Sequence, residues 1–204
     1  ACADLPAARC APLRGVVLGS ALALLLVTGL RAGEALRLTR RDVDLAAAVL
    51  RIRDAKFGKS RLVPIAADVA SRLGRCQAAV DRCVGAPAAD DLFFPGPQRR
   101  AYSLSALKAA FLQVLTLAHI SRVTGGRRLR LHDLRHSFAT LRLLYWYEHD
   151  ADLGAMLPLL ATYLGHVGLA SSQRYLQLTP DLLGEVIRRH QRRFGHLITD
   201  GRPA

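Results

Sequence analysis

The feature that most constrains the fold is an almost wholly apolar run, Val16–Leu30, which is flanked by Arg14 and Arg31. At fifteen residues it is shorter than the roughly 20 residues that a helix needs to cross a bilayer. A helix that is apolar on every side is typical of the centre of a globular core. A signal-peptide core is the competing interpretation, but the run continues directly into polar residues with a motif-like pattern. We therefore predict a core helix over Leu13–Thr28.

The charge balance is strongly basic. The chain has 204 residues, with 29 Lys and Arg against 16 Asp and Glu, which gives a net charge of +13. Such an excess favours nucleic acid or an anionic membrane surface as a partner; a solvated basic surface is the alternative. The hydrophobic share of 51% is enough for one domain with a core of its own.

The cysteine pattern argues against a structural metal or a disulfide framework. The four cysteines lie at positions 2, 10, 76 and 83, and none forms a Cys-x-x-Cys pair. Neither a zinc ribbon nor a disulfide scaffold fits this spacing. We predict free thiols, with Cys76 and Cys83 buried on one helix, in a reducing cytoplasm.

The remaining chain alternates helical periodicity with one β-prone pair of segments. The predicted fold class is α+β, mostly α-helical with a small antiparallel β-hairpin or three-stranded sheet. Besides the first helix, the predicted elements are a short helix around Glu34–Leu36, a turn at Asp42–Leu45, strands over Val49–Arg53 and Arg61–Ile65, helices over Asp68–Val84, Ser103–His119, His132–Tyr147 and Asp152–Leu164 (broken by Pro158), loops at Gly85–Arg100 and Gly125–Arg128, and a final helix over about 180–196.

Tyr175, nine residues after His166, is the most distinctive candidate for chemistry. Forming a phenolate at pH 7 costs roughly 4 kcal/mol, because the phenol pKa is about 10. A nucleophilic tyrosine therefore needs a base and nearby cations. The chain supplies candidates for both in Arg31, Lys56, His132 and Arg135.

These candidates suit a phosphodiester. His132 and Arg135 are spaced i and i+3, which places them on one helix face, and Arg31 and Glu34 share the same spacing. Guanidinium groups pair with phosphate oxygens in a bidentate manner and stay charged. His132 is the candidate base for the tyrosine proton.

A lysine in the predicted hairpin is the candidate acid for the leaving 5′ oxygen. Lys56 is the first choice for this role. Lys59, three residues on, is the alternative donor, with Lys56 then contacting phosphate.

A zinc site is the competing interpretation of His132 and His136, which form a His-x-x-x-His pair. The metalloprotease form of this motif has Glu after the first histidine, whereas this chain has Asp133. We predict no metal, and we expect His136 to be a core or supporting histidine.

Four segments, in order, resemble the boxes of the catalytic domain of tyrosine recombinases, the phage integrases of the Xer type. They are TGLRAGEALRL, KFGKSRLVPI, LHDLRHSFATL and YLGHVGLASSQRYLQLTP, and they run from Thr28 to Pro180, about three-quarters of the chain. The resemblance implies the tyrosine recombinase catalytic-domain fold. It also implies catalytic roles for Arg31, Lys56, His132, Arg135, His166 and Tyr175, with Glu34 and His136 in support. The residues expected to contact DNA are Lys59, Arg61, Arg127 and Arg128.

The resemblance further implies the reaction. Members of this family cut one strand of double-stranded DNA at a time through a 3′-phosphotyrosyl link, without a metal or other cofactor. Four protomers assemble on two DNA sites. We expect a bacterial, cytoplasmic, nucleoid-associated protein with no membrane partner.

Other functions stay open at this point. The chain could be a non-catalytic DNA-binding relic or regulator, or a strand-relaxing enzyme like the type IB topoisomerases. A membrane-surface protein is the most distant alternative.

Two departures from the family pattern carry further expectations. His166 follows Arg135 by 31 positions, so we expect a longer helix or loop near Leu144–Met156, at an interface. We expect the N-terminal core-binding domain of the family to be absent, and we expect residues 1–204 to form a single catalytic domain that binds DNA weakly. The helix over about 180–196 would dock onto a neighbouring protomer.

Overall fold

The computed structural model describes residues 13–55, 59–85 and 88–165, with the backbone alone at 54, 55, 59 and 84. Two compact units divide the described residues: one runs up to Phe138 and includes Tyr163–Gly165, and the other contains Ala139–Thr162. The helices are α1 Arg14–Thr28, α2 Ala32–Leu36, α3 Ala67–Val84, α4 Leu104–Leu117, α5 Asp133–Glu148 and α6 Leu153–Leu164. The strands are β1 Val43–Asp44, β2 Val49–Ala55, β3 Lys59–Pro64, β4 Val123–Thr124 and β5 Arg127–Arg128.

Helix α1 is the central helix of the first unit, as predicted. Val17, Leu18 and Ala21 are fully buried, and the helix packs against α2, α3 and α4. Full burial of a Val or Leu side chain is worth about 1.5–3 kcal/mol. Val16 and Leu26 remain 42% and 45% exposed, so the helix is not covered on every side. Within the described part of the chain, no helix is both long and apolar enough to cross a membrane.

The sheet of the first unit has three antiparallel strands in the order β1–β2–β3. Leu50 pairs with Val63, and Ile52 pairs with Arg61. Because side chains alternate along a strand, Arg61 lies on the same face as the fully buried Val63. The inward face of β3 thus carries an arginine side chain as well as an apolar one.

The predicted turn at Asp42–Leu45 is wrong in part. The carboxylate of Asp42 accepts hydrogen bonds from the backbone and hydroxyl of Thr39, and these bonds close a short 3₁₀ turn at Arg40–Asp42. The chain is therefore extended from the next residue onward, and Val43–Asp44 pairs with β2 as an edge strand. The reversal into β2 comes after Asp44.

The loop between α3 and α4 is irregular, as predicted, but it is firmly anchored. Phe93 and Phe94 are among the most deeply buried side chains of the described residues, and their rings meet edge to face with centroids 5.0 Å apart. The backbone N–H of Phe93 donates to the carbonyl of Leu38 at 2.8 Å. This loop thus contributes core residues that its Pro- and Gly-rich composition did not indicate.

The predicted basic loop at Gly125–Arg128 is instead part of a β-hairpin. Val123 pairs with Arg128 and Thr124 with Arg127. The two turn residues, Gly125 and Gly126, both have positive φ, +57° and +73°. Positive φ at both central residues is the requirement of a type I′ hairpin turn, and the Gly-Gly pair meets this requirement.

The later helices follow the predictions with small corrections. Ser103 caps α4 by accepting a hydrogen bond from the backbone N–H of Ala106 at 3.1 Å, and the helix ends at Leu117 rather than His119. Helix α6 continues through Pro158, whereas we predicted a break there. A proline removes a single i to i−4 hydrogen bond, and the helix persists on the remaining ones.

The cysteine prediction is correct for one residue of the two described. Cys76 is buried among the core side chains, while Cys83 is exposed, and both are free thiols. Cys83 lies in the last turn of α3, beyond the part of that helix that the core covers.

The segment near Leu144–Met156 contains the end of α5, a turn and the start of α6, and the extra length that we expected relative to the family stays a prediction. Helix α5 continues to Glu148, and a short turn then leads into α6. The Asp152 carboxylate accepts a hydrogen bond from the N–H of Gly154 at 2.8 Å, which caps the start of α6. The expectation of an interface in this segment stays a prediction.

Candidate functional site

A buried carboxylate, Glu34, organises the site. Arg31 is the N-cap of α2, and its backbone N–H donates to Glu34 Oε2 at 3.0 Å. The Arg31 side chain also donates, from Nη1 to Glu34 Oε1 at 2.9 Å. Glu34 reaches back from the third position of its helix, which is the geometry of a capping box. The pattern Arg-x-x-Glu is thus a local device that orients Arg31.

Arg61 of β3 donates hydrogen bonds to the same carboxylate. Its Nη1 and Nη2 donate to Oε1 and Oε2 of Glu34 at 3.2 and 2.9 Å. The side chains of Glu34 and Arg61 are only 2% and 10% exposed. Burial alone raises the pKa of Glu34, but the hydrogen bonds and charge of Arg61, with those of Arg31, outweigh it and hold the pKa below its usual range. Glu34 is therefore ionised at neutral pH.

Three arginines meet at the C-terminal end of α6. Arg61 Nε donates to the carbonyl of Tyr163 at 2.8 Å. Arg135 Nη2 donates to the carbonyl of Leu164 at 2.8 Å. Arg31 Nη2 donates to the carbonyl of Gly165 at 2.9 Å. The last carbonyls of a helix lack partners within the helix and carry partial negative charge, so they attract these cations.

Arg135 joins this helix end to the turn that follows α1. It is only 3% exposed, and its Nη1 donates to the carbonyl of Gly29 at 2.7 Å. Gly29 has a φ of +63°, and a Cβ at this position would lie 2.6 Å from Cδ1 of Phe138. Glycine is required here both for the left-handed backbone and for the close packing.

His132 lies just before α5, and its side chain is partly covered while the residue stays open to solvent. Its ring meets that of His136 edge to face, with centroids 4.8 Å apart. Partial burial, followed by the charges of His136 and Arg135, lowers the pKa of His132 below its usual value, and Arg31 adds to the effect. The imidazole is therefore mostly neutral at pH 7, as a proton acceptor has to be. His132 also lines a cavity of about 500 Å³, together with Lys108 and Arg130.

The structure brings together some of the predicted residues and leaves others undescribed. Arg31, Glu34 and Arg135 form one cluster, and His132 with His136 lies within its electrostatic reach. Arg127 and Arg128 are exposed on the β4–β5 hairpin. Only the backbone of Lys59 is described, as the first residue of β3. Lys56, His166 and Tyr175 lie outside the described residues.

Arg61 points inward and donates to Glu34 and Tyr163. The DNA contact that we expected of it stays a prediction. The sequence held a signal for the inward direction, because Arg61 is two residues before the apolar Val63 and so shares its face of the strand. The structural role of Tyr163, whose hydroxyl donates to the carbonyl of Pro64 at 3.2 Å, had no such signal.

Among the described residues, no third His, Cys, Asp or Glu joins His132 and His136 in a group that could hold a metal ion. The site residues provide fixed cations and a neutral imidazole, which suit an anionic substrate. The absence of a cofactor stays a prediction.

Comparison with known sequences places this site in context. Residues 7–181 match the sequence profile of the Phage integrase family. The integrase/recombinase protein y4rE of Sinorhizobium fredii is 41% identical over 173 residues, which cover 84% of this chain and 54% of that protein. The tyrosine recombinase XerC of Pelobacter propionicus is 32% identical over 159 residues, 78% of this chain and 47% of that protein. The chain thus spans about half the length of the curated relatives that it matches.

Solved structures confirm the predicted fold. The XerH site-specific recombinase bound to its difH substrate, in a pre-cleavage complex, superposes with a TM-score of 0.65 at 25% identity, over 86% of this chain and 46% of that one. The catalytic domain of bacteriophage HP1 integrase superposes with a TM-score of 0.51 at 20% identity and covers 93% of both chains. The second likeness is one of fold alone.

Proposed function

The chain belongs to the phage integrase family, and we propose that it carries the DNA-cleaving and rejoining centre of a site-specific recombinase. The observation that supports this most directly is the convergence of Arg31 and Arg135 on one helix end, within electrostatic reach of a mostly neutral His132. These are the groups that an attack on a phosphodiester requires. They come from segments that are far apart in the chain.

The arginines would stabilise the negative charge that develops on the phosphate. Arg31 keeps 29% of its side chain exposed, so a DNA phosphate can approach it. Arg135 is buried, and its charge acts across a region of low dielectric, where electrostatic interactions are stronger. Removing one such contact typically lowers the rate on the order of 100- to 1000-fold.

His132 would accept the proton of the nucleophile. In the proposed reaction the Tyr175 hydroxyl loses its proton to the imidazole, and its oxygen attacks phosphorus. A tyrosine-oxygen–phosphorus bond forms and the bond from phosphorus to the 5′ oxygen breaks. A lysine, Lys56 or Lys59, gives that oxygen its proton. Rejoining is the reverse of these steps, and His166 contributes a further contact to phosphate.

The proposed partner is double-stranded DNA, held by the basic surface of the chain. Arg127 and Arg128 are exposed on the β4–β5 hairpin and are suited to phosphate contacts. We further propose that four copies act on two DNA sites and that the protein works on the bacterial chromosome in the cytoplasm. The difH complex of XerH supports the choice of DNA as substrate.

The test is covalent capture. The 204-residue chain is used to select duplexes from the DNA that flanks its gene, and nicked suicide versions of these duplexes are then incubated with it. We expect an SDS-resistant, protease-sensitive adduct that Tyr175→Phe abolishes. Tyr147→Phe, which alters a tyrosine that is 48% exposed, is the matched control and should leave the adduct unchanged.

Other outcomes would overturn parts of the proposal. An adduct that persists in Tyr175→Phe would contradict the choice of nucleophile. Specific binding without any adduct would favour the non-catalytic relic. Relaxation of supercoiled plasmid without exchange between sites would favour a topoisomerase-like activity.

A further inference from the structure

We propose that Arg61 is a positioning residue, which directs the Arg31 guanidinium at the substrate phosphate by fixing the Glu34 carboxylate and the end of α6. This inference rests on the proposed function. Arg61 is not itself expected to touch the DNA. It acts through the two groups that it holds, the Glu34 carboxylate and the Tyr163 carbonyl.

The geometry uses the whole guanidinium group. Nε donates to the carbonyl of Tyr163 at 2.8 Å, and Nη1 and Nη2 donate to the two oxygens of Glu34 at 3.2 and 2.9 Å. One rigid plane thus joins α2 to the end of α6. Only arginine offers several donors in such a fixed fork, whereas lysine offers a single point of charge.

Arg61 binds the same carboxylate as one proposed catalytic arginine, and it binds a carbonyl next to those that both proposed catalytic arginines bind. The carboxylate that it grips is the same one that orients the Arg31 side chain. The carbonyl that it holds is followed directly by the two carbonyls that Arg135 and Arg31 hold. If Arg61 were removed, the buried carboxylate would lose the two hydrogen bonds that Arg61 donates, and the Arg31 guanidinium, which also binds it, would shift toward Glu34. Arg61 therefore controls where Arg31 points.

The placement of Arg61 also argues against a direct DNA contact. Its side chain is 10% exposed, it pairs opposite the buried Ile52, and it lies on the core face of the sheet. A phosphate contact needs donors that solvent, and therefore DNA, can reach. Since Glu34 is ionised, it neutralises the Arg61 charge locally.

The experiment separates the chemical step from DNA binding. Arg61→Gln and Arg61→Lys are compared with the wild-type chain on the nicked duplexes described above, by single-turnover adduct formation at saturating protein and by Kd measured across a range of salt concentrations. We expect the adduct rate to fall on the order of 100-fold, as for misplaced reacting groups, with Kd and its salt dependence unchanged. Arg61→Lys should lose nearly as much, because it keeps the charge but not the fork.

The matched control is Arg75→Gln. Arg75 is exposed on α3 and donates to Ser71 within its own helix, so this substitution should change neither the rate nor Kd. A weaker Kd for the Arg61 variants, with a salt slope lower by about one and an unchanged rate, would make Arg61 a DNA contact. Full activity of Arg61→Lys would show that charge alone suffices and would overturn the positioning role.

A second measurement does not depend on activity. Hydrogen–deuterium exchange of the free protein should be faster in the last turn of α6 in both Arg61 variants than in Arg75→Gln. Unchanged exchange there would contradict the proposal. If the wild type forms no adduct on any duplex, the proposed function fails, while the exchange result still decides whether Arg61 holds the helix end. If Arg61→Gln does not fold, Arg61→Lys carries both measurements.

Discussion

Gly165 lies directly against the guanidinium group of Arg61. A Cβ placed on Gly165 would be 2.6 Å from Nη1 of Arg61 and 2.8 Å from its Cζ. The residue also has a φ of +71°, a backbone conformation that favours glycine. The glycine that precedes His166 is therefore required twice, once for its own backbone and once for the arginine packed on it.

Gly165→Ala tests this double requirement. We expect a loss of unfolding free energy above the roughly 1–3 kcal/mol that a left-handed non-glycine residue costs, because Arg61 has to move as well. Urea denaturation measures the loss. Gly126→Ala is the control, since Gly126 has a φ of +73° with no atom within 4 Å of its added Cβ. Equal losses in the two variants would show that Arg61 adjusts without cost.

The buried Glu34 carboxylate predicts how stability depends on acid. Its pKa in the folded protein lies below the ordinary value of 4.5. In the pH range below 4.5, the unfolded chain therefore binds more protons than the folded protein does. Its contribution to stability is therefore present above that value and is lost as pH falls through the folded pKa. Glu34→Gln should be less stable at neutral pH by about 3–5 kcal/mol, because it breaks a buried ion pair.

Urea denaturation over a series of acidic pH values checks this prediction. Glu34→Gln should lose less stability than the wild type as the solution is acidified. Asp90→Asn removes the carboxylate of an exposed pair with Arg41 and should cost at most about 1 kcal/mol. If Glu34→Gln and the wild type show the same acid dependence, the carboxylate is not a source of stability in this window.

Much of this arrangement could be predicted from the sequence wherever the relationship is local. The α1 core helix follows from an uninterrupted apolar run, and the pairing of Arg31 with Glu34 follows from their i, i+3 spacing. The inward direction of Arg61 is also encoded, because Arg61 lies two residues before the apolar Val63 and therefore shares its face of the strand. We nevertheless interpreted it as a DNA contact, because charge suggests exposure when each residue is considered alone.

The rest depended on contacts between distant parts of the chain. The three carbonyls at the end of α6 lie 102, 29 and 134 positions from the arginines that hold them, and no periodicity within one segment predicts such a meeting. The β4–β5 hairpin has two residues per strand, too few for alternation to be visible. Phe93 and Phe94 are buried in a loop that is joined to Leu38 by a backbone hydrogen bond, and a loop-like composition does not predict such tertiary contacts.

His132 predicts the pH dependence of the proposed cleavage. Burial first, and then the charges of His136 and Arg135, lower its pKa below the ordinary value of 6.5. Because the imidazole acts as a base only when neutral, the single-turnover adduct rate should rise with pH through a midpoint below 6.5 and then level off. His132→Gln should be slower on the order of 100- to 10,000-fold and should lose this rise.

The control for this profile is His149→Gln. His149 stacks on Tyr145 with ring centroids 4.1 Å apart and has no role in the proposed reaction, so its loss should leave the profile unchanged. A midpoint at or above 6.5 in the wild type would mean that another group governs the acid limb.

The exposed hairpin predicts how DNA binding responds to salt. On the β4–β5 ladder, Arg127 pairs with Thr124 and Arg128 pairs with Val123, and all four residues are exposed. Each arginine that contacts a phosphate should add about one to the slope of log Kd against log salt. The double substitution Arg127→Gln, Arg128→Gln should therefore weaken binding and reduce the slope by about two. The effect should be nearly the same on different duplexes, because phosphate contacts do not read the base sequence.

Fluorescence anisotropy with labelled duplexes at several salt concentrations measures both the affinity and the slope, and Arg75→Gln again serves as the exposed control. A slope that the double substitution leaves unchanged would remove the hairpin from the DNA surface.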